Sequence, residues 1–146
     1  MALKIKRIDK SLPMPQFATE GSVGLDTYIR ENVIIETHSW KVIPLNLIIQ
    51  APENTFIGVL PRSSTFKRTG LMLANSLGVV DRDYSGPNDE ICALVYNTGS
   101  DICLKKGDRL FQLLFINCET PEIEETDEDF KNESRGGHGS TGKGVL

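Results

Sequence analysis

Near its carboxyl end the chain reads RGGHGSTGKGVL, residues 135–146, where closely spaced glycines stand with Arg135, Ser140 and Thr141. That is anion-binding chemistry in one short stretch. Gly137, Gly142 and Lys143 nearly satisfy the phosphate-loop pattern, but Gly144 stands where Ser or Thr is required and no helix follows. Three further stretches carry reactive groups. LPRSSTFK (60–67) sets the planar fork of Arg62 beside the hydroxyls of Ser63 and Ser64, which suits either a phosphate seat or a plain helix N-cap with a surface arginine. NSLGVVDRDYSG (75–86) places Asp81 directly after an apolar run, with Tyr84 three positions on. Two strands joined near Asp81 would make a hairpin with an acid at its bend; a turn aspartate is the simpler alternative. KKGDRLFQLLF (105–115) buries Gln112 in an apolar run, where it needs a partner, internal or from a ligand. His38 and His138 lie a hundred positions apart with no metal-ligand spacing, which argues against a histidine metal site or a Ser–His–Asp triad. Any hydrolysis would therefore rest on a carboxylate and a hard metal.

These groups need a scaffold, and the rest of the chain reads as short β-runs between Gly, Pro, Asn and Asp: LKIKRI, NVIIET, WKVIPLNLIIQ, FIGVLP, LMLAN, EICALVYN and ICLKKGDRLFQLLF. Ile43, Leu45, Leu47 and Ile49 alternate with a period of two. The pattern predicts an all-β barrel or sandwich with one short helix around SSTFKRTGLML, capped by Ser63 or Ser64. Length predicts one domain, with residues 1–120 as the β-barrel and 121–146 as an acidic linker and glycine-rich arm. A net charge of −4 argues against nucleic acid as partner. Cys92, Cys103 and Cys118 form no C-x-x-C pair, and Cys92 and Cys103 are expected to be buried thiols. No apolar run of about 18 residues marks a signal peptide or membrane span. The expected location is intracellular, cytoplasmic.

In order, EGSVGLDTYI (20–29), PRSS (61–64), NSLGVVDRDYSG (75–86), KGDRLFQLLF (106–115) and RGGHGSTG (135–142) resemble the motifs of the trimeric dUTPase family. The resemblance implies a jelly-roll-type β-barrel, a homotrimer with shared active sites, and Mg²⁺-dependent hydrolysis of dUTP to dUMP and pyrophosphate. It implies that Asp81 activates the attacking water, and that Asn75 with the main chain of Gly78, Val79 and Val80 lines a hairpin pocket for uracil. Tyr84 would pack on the deoxyribose and exclude a 2′-hydroxyl. Arg62, Ser63, Ser64 and Gln112 would hold phosphates, and Asp26 would hold Mg²⁺ through water, which suits an ion that keeps much of its hydration shell. Arg135, Gly139, Ser140 and Thr141 would close on the terminal phosphate, and His138 would stack on the base.

Three features depart from the family pattern. His138 replaces the usual phenylalanine, which predicts weaker stacking or some pH dependence. Only two residues separate Arg135 from His138, where four are common. Pro87–Asp89 adds three residues before the next strand, a bulge or loop beside the site. Two other readings compete. A dCTP deaminase of the same fold would lack the glycine-rich arm, and a regulatory nucleotide-binding protein would be expected to lose Asp81 or carry a larger insertion.

Overall fold

The computed structural model describes residues 3–134. Arg135, His138, Gly139, Ser140 and Thr141 lie outside the described residues. The strands are β1 (Lys4–Arg7), β2 (Leu25–Asp26), β3 (Val33–Ile35), β4 (Trp40–Pro44), β5 (Leu47–Gln50), β6 (Thr55–Pro61), β7 (Leu71–Leu73), β8 (Gly78–Val80), β9 (Cys92–Asn97), β10 (Ile102–Leu104) and β11 (Phe111–Asn117). One helix, α1 (Thr65–Thr69), sits between β6 and β7 as expected. Its N-cap is Ser64, without a side-chain capping bond, and it ends on Gly70 in the left-handed region at φ 71°.

All pairings are antiparallel, in the orders β1–β5, β3–β10, β2–β11–β6–β8 and β4–β9–β7. Neighbours in a sheet are seldom neighbours in sequence, the mark of long crossing connections in jelly rolls. One core joins the four ladders, with Ile29, Ile35, Ile43, Leu45, Ile49, Ile57, Leu71, Ile91, Phe111 and Leu113 at its centre. The strands contribute alternate residues to it, as in β9, where Ala93, Val95 and Asn97 are buried. Buried Asn97 is satisfied by donating from Nδ2 to the carbonyls of Ile35, Glu36 and Ser100.

The structure corrects four expectations. WKVIPLNLIIQ is not one alternating strand. Asn46, at φ 68°, breaks it into β4 and β5 in different sheets, and every residue from Ile43 to Ile49 is buried. A left-handed residue turns the chain, so both faces of the run meet the core. No hairpin spans Asp81, because β8 pairs with β6 while β9 pairs with β4 and β7. Asn75 sits in a tight turn between β7 and β8, with Ser76 at φ 61° and Leu77 N–H donating to the Asn75 carbonyl at 2.6 Å. That turn is not a laddered hairpin either, since its two strands belong to different sheets. Cys103 is exposed, because it shares the outward face of β10 with its cross-strand partner Ile34; Cys92 is half-buried. Residues 121–134 form neither helix nor strand and are exposed throughout. No helix among the described residues is long and apolar enough to cross a membrane.

Candidate active site

Three adjacent strands bring distant residues together at one end of β6. Asp26 on β2 lies opposite Gln112 on β11, and Gln112 lies opposite Leu60 on β6. Arg62 follows two residues later, its N–H bonded to the Leu110 carbonyl at 2.9 Å. Its Nε meets Asp26 Oδ1 at 2.9 Å, and its Nη1 donates to the Arg109 carbonyl at 3.2 Å. Arg109 Nη1 reaches the other Asp26 oxygen at 3.5 Å. The Asp26 side chain is only 13% exposed, so the guanidinium groups offset its desolvation. Neither arginine exhausts its donors here, and a carboxylate keeps lone pairs beyond those two contacts.

Gln112 has an internal partner. Its Nε2 donates to the Pro61 carbonyl at 3.1 Å. Gly24 makes room for its other atom: a Cβ at position 24 would stand 2.0 Å from Gln112 Oε1. Ser63 is exposed and Ser64 half-buried, immediately beyond Arg62. Thr65 locks this segment by donating its hydroxyl to the Leu110 carbonyl at 2.5 Å.

Of the other candidates, Val79, Val80, Asp81 and Tyr84 meet in a cleft of about 220 Å³ lined also by Glu90 and Cys92, while Asn75 and Gly78 are not among its lining residues. Among the described residues β8 is the end strand of its sheet, so the edge away from β6 carries main-chain N–H and C=O groups paired with no described strand. Asp81 follows β8 directly, is exposed, and its carbonyl accepts the Tyr84 N–H at 3.2 Å. Tyr84 Oη makes a long contact, 3.4 Å, to the Glu90 carbonyl. Burial, reinforced by the Asp89 carboxylate, holds the Tyr84 phenol above its ordinary range. Burial pushes the Cys92 thiol up to about 11.

Asp81 and Arg62 stand at different points along β6 within the chain. Val80 pairs with Ile57, and Arg62 lies five residues further along the same strand path. Five extended residues span about 16 Å. Among the described residues no cluster of three or more His, Cys, Asp or Glu could cage a metal ion.

Arg109, Arg30, Glu90 and Cys92 belong to this neighbourhood although their residue types alone did not single them out. Arg109 had a local signal, as a cation between a Gly107–Asp108 turn and a buried strand. Arg30 and Glu90 had none, because their Nε–Oε1 contact of 2.9 Å joins positions 60 residues apart.

The dUTPase family model matches residues 10–142. The SPbeta prophage-derived deoxyuridine 5′-triphosphate nucleotidohydrolase YosS of Bacillus subtilis (strain 168) is 36% identical over 143 residues, covering 97% of this chain and 99% of that protein. The deoxyuridine 5′-triphosphate nucleotidohydrolase of Clostridium kluyveri is 39% identical over 145 residues, covering 97% and 99%. Among solved structures, the Staphylococcus bacteriophage 80alpha dUTPase with dUPNHPP superposes with a TM-score of 0.85 at 22% identity, covering 99% of each chain. The Streptococcus mutans dUTPase gives 0.74 at 24% identity, covering 82% of this chain and 98% of that one. Those two likenesses carry the fold, a β-structure of jelly-roll type. With its family model spanning residues 10–142 and relatives matched over nearly their full length, this chain belongs to the dUTPase family.

Proposed function

We infer that this protein hydrolyses dUTP to dUMP and pyrophosphate by attack of water on the α-phosphorus. The observation that carries the reading is the Asp26–Arg62 ion pair beside Gln112, which lies opposite Asp26 in the ladder, in a chain of this family. A second group, 78–84, frames a separate cleft.

In this reading the free edge of β8 reads uracil through main-chain hydrogen bonds. A fixed main-chain pattern mismatches the amino group of cytosine, and unpaired polar groups in such a site cost orders of magnitude in discrimination. Asn75 supports the turn before that edge, and Tyr84 covers the sugar. Asp81 is exposed at the strand end and accepts the proton of the attacking water. The new P–O bond forms as the bond to the α–β bridging oxygen breaks, and pyrophosphate leaves. Arg62, Ser63, Ser64 and Gln112 hold the phosphates. Arg62 keeps N–H donors beyond those used by Asp26 and the Arg109 carbonyl.

The donor set fits Mg²⁺ of one kind. A single carboxylate that already pairs with Arg62 and Arg109 suits an ion carried by the triphosphate and held through its water shell, not one caged by protein. Asp26 would hold it there, and when bound the ion supplies neutralisation of phosphate charge.

The separation of roughly 16 Å along β6 supports a site shared between copies, because a base must stand within hydrogen-bond reach of its water. A homotrimer is the assembly proposed. Residues 1–120 form the catalytic body and 121–146 an arm. On it Arg135, Gly139, Ser140 and Thr141 close on the terminal phosphate, and His138 stacks on uracil.

The test is pyrophosphate release from dUTP, dCTP, dTTP and UTP, with and without Mg²⁺. Release from dUTP alone, and only with Mg²⁺, is expected. Equal turnover of dCTP would overturn the uracil assignment, and undiminished turnover in chelator would overturn the metal assignment.

A further inference from the structure

The wall of the cleft that faces Tyr84 is built from Glu90 and Cys92, and it is held from a distance. Arg30 Nε donates to both Glu90 carboxylate oxygens, at 2.9 and 3.2 Å. Glu90 Oε1 also accepts the N–H of Asn46 at 2.9 Å, at the corner between β4 and β5. On either side of that corner, Leu45 N–H donates to the Ile91 carbonyl at 3.0 Å and Ile91 N–H donates to the Leu47 carbonyl at 2.8 Å. The Glu90 side chain is 13% exposed and that of Arg30 is 29% exposed. A partly buried arginine–carboxylate pair, here one Nε–H shared by both Glu90 oxygens, resists displacement better than a surface ion pair.

The three-residue departure Pro87–Asp89 hangs from this anchor. The loop closes on itself, with Gly86 N–H donating to Asp89 Oδ2 at 2.7 Å and Asp89 N–H to the Gly86 carbonyl at 3.2 Å. A Cβ at Gly86 would stand 2.8 Å from Asp89 Oδ2, so the closure depends on glycine. Tyr84 therefore enters a self-tied loop, Ser85–Asp89, whose far end is pinned by Arg30. Its ring and the wall opposite belong to one braced unit.

Resting on the dUTP reading above, we propose that Arg30, acting through Glu90, sets the width of the cleft that Tyr84 closes, and thereby the preference for deoxyribo- over ribonucleotides. Arg30 is a positioning residue and touches no substrate. A pair that merely stabilised the fold would lower melting temperature and leave substrate preference alone. A pair that sets the cleft changes the preference itself, because a 2′-hydroxyl is one oxygen and rejecting it depends on small distances.

The experiment compares kcat/KM for dUTP and UTP in the full-length protein and in Arg30→Met, Glu90→Gln and Asp89→Ala, with melting temperature and oligomeric state measured on each. Arg30→Met and Glu90→Gln are expected to lower the dUTP/UTP ratio by about tenfold, chiefly by gaining on UTP. Arg30→Lys, which keeps the charge and loses the fixed, planar Nε–H that both Glu90 oxygens share, is expected to fall between. A ratio within about twofold of the parent protein in folded Arg30→Met overturns the proposal. So does an equal loss on both nucleotides. Should Arg30→Met not fold, Asp89→Ala carries the test at the loop closure: a lowered ratio supports the brace and an unchanged one overturns it. A parent protein with no preference for dUTP over UTP overturns both this proposal and the dUTP reading. A selective parent with unaltered variants overturns the brace alone.

Discussion

At the Pro61 end of β6, charged side chains are committed to one another: Asp26 holds Arg62 and Arg109, and Gln112 is tied to the Pro61 carbonyl. At the other end, where β8 runs out, the main chain is ordered but the side chain of Asp81 has no hydrogen-bond partner among the described residues. In the function proposed above, the difference follows from what each end would handle. Half-buried charges are costly unless paired, so an anion-facing cluster has to be assembled beforehand within one chain. Reading a base needs a rigid backbone edge, which the β6–β8 ladder already provides, and a free acid can remain hydrated until its water and phosphate arrive.

The sharpest way to break this contrast is Asp81→Asn. It should lower kcat by about 10³-fold while leaving the affinity for a non-hydrolysable dUTP analogue nearly intact. Undiminished turnover would remove Asp81 as the base. Arg62→Met should cost about 10²-fold in kcat/KM. The two variants also test whether the ends of β6 serve one site in different copies. Co-expressed Asp81→Asn and Arg62→Met chains should recover a measurable part of the parent activity in mixed assemblies, each supplying what the other lacks. A mixture no more active than its components would place both residues in the same chain's site.

A smaller effect is expected within the paired cluster. Gly24→Ala places a methyl against Gln112 Oε1 and should destabilise by about 1–3 kcal/mol, read as a lower denaturation midpoint. Adding Gln112→Ala should return part of that loss, because the residues are in contact and their effects do not add. Full additivity would mean the clash is relieved elsewhere. Smallest is thiol labelling. At pH 7.5 exposed Cys103 should react with iodoacetamide before Cys92, whose thiol burial pushes up to about 11. Cys92 labelling should speed as pH rises toward that value and slow when dUTP fills the cleft. Equal rates at pH 7.5 would contradict its burial.

Where side-chain type and order carried the information, the sequence was legible. The motif stretches, the all-β class and the helix after PRSS all follow from local patterns. What stayed hidden was pairing at long range. Period-two alternation at 43–49 looks like one strand because a corner buried on both sides is apolar throughout, and Asn46 alone does not announce a left-handed turn. The acid after Gly78–Val80 looked like a hairpin bend because adjacent β-runs usually pair, whereas here each found a partner elsewhere. Cys103 looked buried because an apolar run does not say which face meets the core. Arg30–Glu90 could not be seen at all, since neither residue is unusual where it stands.

Asn46 has one further consequence. Among the described residues strand β1 pairs with β5 alone, and half of its residues are exposed. Just past its end, Asn46 accepts from Ile8 N–H at 3.1 Å and from Asp9 N–H at 2.6 Å, and donates to the Asp9 carbonyl at 3.0 Å. That one asparagine is the latch on the first segment of the fold. Local opening of β1 is governed there and costs less than global unfolding, so its amides exchange with solvent first. Each opening bares the rim of β5, a largely apolar strand able to pair with another chain. Self-association on storage or heating would start from that rim.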